Sequence, residues 1–225
     1  MSAVGIIAEF NPLHTGHIYL IREAKKHGAA VIAMSGNFVQ RGDVAIADKR
    51  IRAKAALMCG ADLVLELPVS YSLSTAQNFA LGGVSVLKAA GCDSLMFGSE
   101  CGDIKQLEEA CVVLESAEFS STVSKLLATG ITFAAAREKA AEGAGIEKGL
   151  FAGANNNLAA EYMLAAKRIN ACFDFLTVAR KGAAHDSADA AGGYASASLL
   201  RQKLLARDRG FCRAYMPGSV PALFG

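Results

Sequence analysis

The sequence predicts an α/β fold built on a parallel sheet, and three observations carry that prediction. Short apolar runs of strand length recur along the chain, separated by helix-length stretches. The runs are nearly continuous rather than alternating, which is the pattern of strands buried on both faces. Each of the first four gives way to a cluster of Asn, Pro, Gly or Ser, residues that end regular structure.

The elements follow in order. Residues 3–9 form the first strand, broken by Asn11-Pro12-Leu13. A helix runs from Thr15 or Gly16 to His27 and is closed by Gly28. Residues 30–34 form the second strand and residues 35–47 a loop. Asp48 is placed to cap a helix through Cys59 that stops at Gly60. Residues 63–67 form the third strand, stopped by Pro68; residues 75–90 a helix; residues 94–97 the fourth strand, ending at Gly98-Ser99-Glu100.

Residues 104–141 read as two or three amphipathic helices, and residues 142–153 as a Gly-rich mobile loop. A helix over about residues 156–169, a fifth strand at 173–178, a polar loop at 180–193 and a helix at 196–207 complete the pattern. The tail, residues 216–225, carries two prolines and two glycines and has no evident core role. The sum is a Rossmann-like, doubly wound parallel sheet of about five strands, with helices on both faces and extra helices in the middle of the chain. Right-handed crossovers bring all strand C-termini to one edge, where ligands bind in such folds. Asn11, Ser35, Pro68 and Gly98 all fall on that edge.

Composition narrows the classes. The chain has 225 residues, 52% of them apolar, and a net charge of +2. No apolar run approaches the roughly 20 residues that cross a bilayer, and no basic segment precedes the N-terminal apolar stretch, against a signal peptide. The six cysteines form no C-x-x-C pair and read as reduced core residues of a cytoplasmic protein, not as a zinc site. Three basic groups, Arg22/Lys25/Lys26, Lys49/Arg50/Arg52/Lys54 and Arg201/Lys203/Arg207/Arg209, are candidates for a nucleic-acid surface or simply solvated helix faces.

One segment concentrates chemistry: Glu9-Phe10-Asn11-Pro12-Leu13-His14-Thr15-Gly16-His17. A strand ends, the chain turns, and a helix starts with two of the chain's four histidines, three residues apart. That spacing puts both imidazoles on one face of the first turn. The helix N-terminus adds N–H groups and a positive partial charge, and Gly16 keeps side-chain bulk away from an approaching nucleotide. Together these make a triphosphate site, with His14 and His17 stabilising the charge that grows at phosphorus. The plainer alternative is a capped helix with two incidental histidines. A metal site would lack ligands.

Residues 5–17 resemble the opening of the HxGH nucleotidyltransferase superfamily and, more distantly, class I aminoacyl-tRNA synthetases. Further segments bring the chain closest to the bacterial tRNA(Met) cytidine acetate ligases: Met34-Ser35-Gly36-Asn37-Phe38-Val39-Gln40-Arg41-Gly42, Ala61-Asp62-Leu63-Val64-Leu65-Glu66-Leu67-Pro68 and Phe97-Gly98-Ser99-Glu100. Asn155-Asn156 with Leu158 and Tyr162, Arg180 with His185-Asp186, and Ala195-Ser196-Ala197-Ser198-Leu199-Leu200-Arg201 extend the likeness.

The resemblance implies ATP-dependent N4-acetylation of the wobble cytidine of elongator tRNA(Met), with acetate activated as acetyl-adenylate. It implies that the segment from Ile7 to Leu20 wraps ATP, drawing on Glu9, Asn11, Pro12, His14, Gly16 and His17. Gly98 would lie against adenosine, Asn155 would hydrogen-bond the nucleotide, and Arg180 would contact phosphate. Ser196 and Ser198 would grip the outer phosphates. Arg41 is a candidate for pyrophosphate or acetate; Glu9 and Asp186 are candidates for Mg²⁺. The residues' plainer roles are a turn glycine at Gly98, an N-cap at Asn155 and a surface ion pair at Arg180.

On this reading residues 1–208 are the nucleotidyltransferase-like catalytic domain and residues 209–225 a tail, without the C-terminal region that holds tRNA in the family. Ala154 replaces the family's usual proline, and residues 181–193 are shorter and richer in Gly and Ala. Two other functions stay open: adenylyl transfer to a small phosphorylated metabolite, and an ATP- or RNA-binding module without catalysis. No membrane partner is expected.

Overall fold

A computed structural model describes residues 2–179, 195–218 and 220–224. The side chain of Arg41 lies outside the described residues, as do Arg180, His185 and Asp186 with the rest of residues 181–194. In chain order the first elements are β1 (Ala3–Ala8), α1 (Thr15–Ala24), β2 (Ala29–Ser35), α2 (Lys49–Met58), β3 (Leu63–Leu67), α3 (Val69–Ser72), α4 (Ala76–Ala89) and β4 (Ser94–Ser99). They continue as α5 (Ile104–Leu114), α6 (Ala117–Leu127), α7 (Phe133–Gly143), α8 (Ala154–Arg168), β5 (Asp174–Ala179), α9 (Ala197–Leu205) and α10 (Arg209–Tyr215). Short 3₁₀ turns form at Gln40–Gly42 and Val220–Phe224.

The five strands form one all-parallel sheet in the order β3-β2-β1-β4-β5. The strand order reverses between β1 and β4, so the crevice for a ligand opens at their C-terminal ends. Within each strand the side chains divide by the period of two. Val4, Ile6, Ile32, Met34 and Met96 enter one core with α1, α2, α9 and α10. Ile7, Val31, Ala33, Leu95 and Phe97 enter the other, with α4 to α8. The expected doubly wound architecture is therefore present.

Local signals place several helix starts. Asp48, Thr75, Ser116, Thr132 and Ser196 each accept a main-chain N–H from the turn they cap. Gly60 takes φ 108°, a conformation only glycine adopts at low cost, and so ends the turn after α2.

Four expectations are corrected. Lys25, not Gly28, caps α1; Gly28 instead lies against the Ser2 main chain, where a Cβ would collide. Residues 142–153 are anchored rather than loose, because Leu150 and Phe151 are buried against α8 and α5 neighbours in the larger core. The tail does have a core role: Met216 and Val220 are buried with Ala55 and Leu200. Apolar residues too sparse to show a period still fill space left on the sheet face between α2 and α9. The fourth correction concerns α8, which starts at Ala154 with Gly153 as its N-cap, so Asn155 lies in its first turn, neither in a loop nor at the cap.

Candidate active site

The turn from β1 into α1 sits at the switch point of the sheet. Phe10 lies at φ 47°, a left-handed conformation that costs a non-glycine residue about 1–2 kcal/mol and that its fully buried ring holds in place. The Asn11–Pro12 peptide bond is cis. His14, the N-cap of α1, is extended and buried.

The two imidazoles stack at 3.7 Å between centroids, 24° from parallel, and Phe10 meets His17 edge-on at 5.0 Å. Each ring also caps the helix. His14 Nδ1 accepts from the Gly16 N–H (3.1 Å), and His17 Nδ1 accepts from the His14 N–H (3.3 Å). This reciprocal capping box engages N–H groups that the sequence alone would offer to phosphate. It also sets the tautomers. An Nδ1 that accepts a main-chain N–H carries no hydrogen, so the neutral ring holds its proton on Nε2. Each histidine therefore carries its hydrogen at Nε2, a donor type that serves an oxyanion.

Neighbouring segments are laced to this turn. Asn11 Oδ1 accepts from the Ile46 N–H (2.7 Å), and Glu9 Oε1 accepts from the Gln40 N–H (2.8 Å). Arg201 donates to the Asn11 carbonyl (2.8 Å), tying α9 to the same point. The fully buried Arg52 donates to the carbonyls of Glu9 (2.5 Å), Ala47 (3.1 Å) and Gly36. Burial pulls its pKa down, and the charges of Glu9, Asp48 and Glu66 pull it back up. Arg52 is a residue that sequence reasoning misplaced in a basic patch.

Across the switch point, Gly98 is the fifth residue of β4, paired with Val178, not a turn glycine beyond the strand. Glu100, two residues on, holds the first turn of α8. Its carboxylate accepts from the Asn155 N–H (3.1 Å), Asn155 Nδ2 (2.6 Å) and the Asn156 N–H (2.6 Å). In return Asn156 Oδ1 accepts from the Glu100 N–H (2.8 Å), and a Cβ on Gly153 would strike the Glu100 carboxylate. The two sequence motifs that carry Gly98 and Asn155 are thus one interlocked unit. Glu100→Ala removes the acceptor of two helix-start N–H groups and is expected to cost about 1–2 kcal/mol, read as a lower midpoint in urea.

Ser196 caps α9 through the Leu199 N–H (3.1 Å), and its hydroxyl lies 3.0 Å from that of Ser198. Ile7 lies under α4, where Gly83 leaves room for it, and Leu20 is half-buried on α1. Among the described residues no group of three or more His, Cys, Asp or Glu side chains is placed to hold a metal. Glu9 Oε1 is engaged by the Gln40 N–H. All six cysteines are free; burial pushes the Cys92 thiol up to about 11 and that of Cys111 up to about 12, so neither supplies a thiolate at neutral pH.

Four lysines of the basic patches are ion-paired. Lys25 pairs with Asp62 (2.6 Å), Lys26 with Glu23 (2.7 Å), Lys49 with Glu66 (2.6 Å) and Lys203 with Asp208 (3.3 Å).

The histidine turn at the switch point of this sheet is accompanied by a match to the HIGH Nucleotidyl Transferase family over residues 1–224. The chain belongs to the HIGH nucleotidyltransferase family. Within the HIGH nucleotidyltransferases it is similar to the tRNA(Met) cytidine acetate ligase of Thermoanaerobacter sp. (strain X514), 40% identical over 96% of this chain and 56% of the relative. That of Caldanaerobacter subterraneus subsp. tengcongensis is 41% identical over the same shares. The crystal structure of Thermotoga maritima TmcAL bound with alpha-thio ATP superposes with a TM-score of 0.88 at 31% identity, covering 99% of this chain and 55% of that one. The apo form gives 0.90 at 32% identity. The chain spans about half the length of the relatives it matches. No helix among the described residues is long and apolar enough to cross a membrane.

Proposed function

We propose that this HIGH nucleotidyltransferase carries the ATP-dependent chemistry of a tRNA(Met) cytidine acetate ligase. The observation that carries the reading is the stacked, mutually capped pair His14 and His17 at the switch point of the sheet. The names of the relatives and the ATP analogue bound by the Thermotoga protein support it.

In the first step an acetate oxygen attacks the α-phosphorus of ATP and pyrophosphate leaves. The Nε2–H donors of His14 and His17, with the α1 dipole, stabilise the negative charge that builds on the phosphate oxygens. In the second step the N4 amine of the wobble cytidine of elongator tRNA(Met) attacks the acetyl carbonyl, AMP departs, and N4 loses a proton. Neither step needs an enzyme nucleophile, which agrees with the raised thiols of Cys92 and Cys111.

Asn155, held by Glu100 through its Nδ2, keeps its Oδ1 as the acceptor it offers the nucleotide. Gly98, within β4, lets adenosine approach the main chain, and Ser198 with Ser196 serves the outer phosphates. Arg180 completes the phosphate contacts and lies outside the described residues. Mg²⁺ carried on the phosphates of ATP would supply charge neutralisation there.

A second reading, adenylyl transfer to a small phosphorylated metabolite, draws on the pairing of Lys25, Lys26 and Lys49 with carboxylates, which offsets part of the positive charge of two basic patches. Exchange of labelled pyrophosphate into ATP separates the two. Exchange that requires acetate is expected, without any need for tRNA. Exchange that ignores acetate and responds to a phosphorylated acceptor would replace the ligase reading.

A further inference from the structure

The edge of the sheet that carries the histidine turn holds a second cleft, over the ends of β2 and β3. It encloses about 210 Å³ and is lined by Gly36, Asn37, Phe38, Lys49, Glu66 and Val69. Gly36, Asn37, Phe38 and Glu66 belong to two of the motifs noted in the sequence, and the adenylation step uses none of the six.

The floor is polar. Lys49 Nζ donates to both oxygens of Glu66 (2.7 and 2.6 Å). Glu66 Oε1 lies 2.5 Å from where a Cβ on Gly36 would sit, so the carboxylate is seated directly against main chain. Asn37 Oδ1 accepts from the Lys49 N–H (2.7 Å), which leaves its Nδ2 as the donor end of the amide. The rim is apolar. Phe38 is 43% exposed, Val69 54%, and Val44, which bridges Phe38 in antiparallel fashion, 70%.

An exposed aromatic ring above a floor with both donors and an acceptor selects among ligands. A purely apolar segment would bury the Lys49–Glu66 pair without replacing its water. A phosphate would meet the Glu66 carboxylate. A flat heterocycle with donors and acceptors along its edge satisfies both parts: its face stacks on Phe38 and its edge bonds to the floor. The cleft is also fastened to the histidine turn, because Arg52 donates to the carbonyls of both Glu9 and Gly36 and Glu9 Oε1 holds the Gln40 N–H.

We propose that this cleft receives an unpaired nucleobase of the RNA acceptor, stacked on Phe38 and held at its edge by Glu66 and Asn37. The proposal rests on the RNA-acceptor reading of the active site and adds the surface that sorts unpaired from paired bases. Stacking tolerates any base, so the preference it gives is for single-stranded RNA, with the edge contacts refining it.

The test is direct binding of a fluorescein-labelled RNA stem-loop with the tRNA(Met) anticodon loop, against the same strand closed into a full duplex. The wild-type chain is expected to prefer the unpaired loop. Phe38→Ala is expected to weaken loop binding roughly tenfold, with Phe38→Tyr restoring it; Phe38 is exposed enough for all three proteins to fold, checked by circular dichroism. Equal binding of loop and duplex, equal binding by Phe38→Ala, or no RNA binding by the wild type each overturns the proposal. Saturation of the cleft by a small phosphorylated metabolite, which then displaces the loop, also overturns it. Acetate-dependent exchange needs no RNA, so it reports separately on whether the ligase reading holds.

Discussion

His17→Ala is expected to reduce acetate-dependent pyrophosphate exchange by roughly 100-fold or more, the usual cost of removing one preorganised donor to a developing oxyanion. The ring does two separable things. Its Nδ1 accepts the His14 N–H and so helps fix the turn, and its Nε2–H is the donor that chemistry needs. Loss of the first costs about 1 kcal/mol, small enough for the protein to stay folded, since the half-exposed ring is not a core anchor. Loss of the second removes transition-state stabilisation. His17→Asn parts the two roles: its side-chain oxygen stands near the place of Nδ1 and restores the cap, while no donor reaches the place of Nε2. Restored melting with exchange still low is the expected pattern. Near-normal exchange in either well-folded variant would sink the assignment of the site.

Arg52→Met is expected to lower unfolding stability by roughly 3–5 kcal/mol, measured as a shift of the urea midpoint at unchanged slope. The guanidinium is fully buried and donates to the main-chain carbonyls of Glu9, Ala47 and Gly36. Methionine fills similar space but leaves three buried acceptors unpaired, and an unsatisfied acceptor costs more than an average hydrogen bond contributes. Those carbonyls belong to three segments that the guanidinium joins at one point: the residue after β1, the start of the loop after β2, and the approach to α2. Arg52→Lys, a point donor without the planar fork, is expected to fall between, because it cannot span all three acceptors at once. An unchanged midpoint in Arg52→Met would show that these carbonyls find other partners and that the clamp is dispensable.

Arg52 also marks the limit of what residue order can show. By spacing it belongs with Lys49, Arg50 and Lys54 on a basic helix face, and the residue type points to solvent. Its burial follows from unpaired carbonyls at the sheet edge, one of them 43 residues away. Glu100 is similar. Its motif marks the end of a strand but not its partner: the start of α8, 55 residues on, needs an acceptor for its first N–H groups, and Gly153 leaves room for one. The buried tail residues Met216 and Val220 likewise answer to space between other elements, with no period of their own.

What the chain's own order of residues determined was local: nearly continuous apolar runs became buried parallel strands, Asp48, Thr75 and Ser196 became caps, and His14 and His17 at a spacing of three came onto one face of a helix start. These rest on periodicity and on bonds between near neighbours, which are written in consecutive residues. What only the tertiary structure decided was the satisfaction of polar groups between distant segments: Arg52 on three carbonyls, Glu100 on α8, carboxylates on the lysines, and the imidazole Nδ1 atoms turned to the main chain so that Nε2 carries the hydrogen. The reason is that a buried donor or acceptor must find a partner, while nothing in its neighbours along the chain says which segment will supply it.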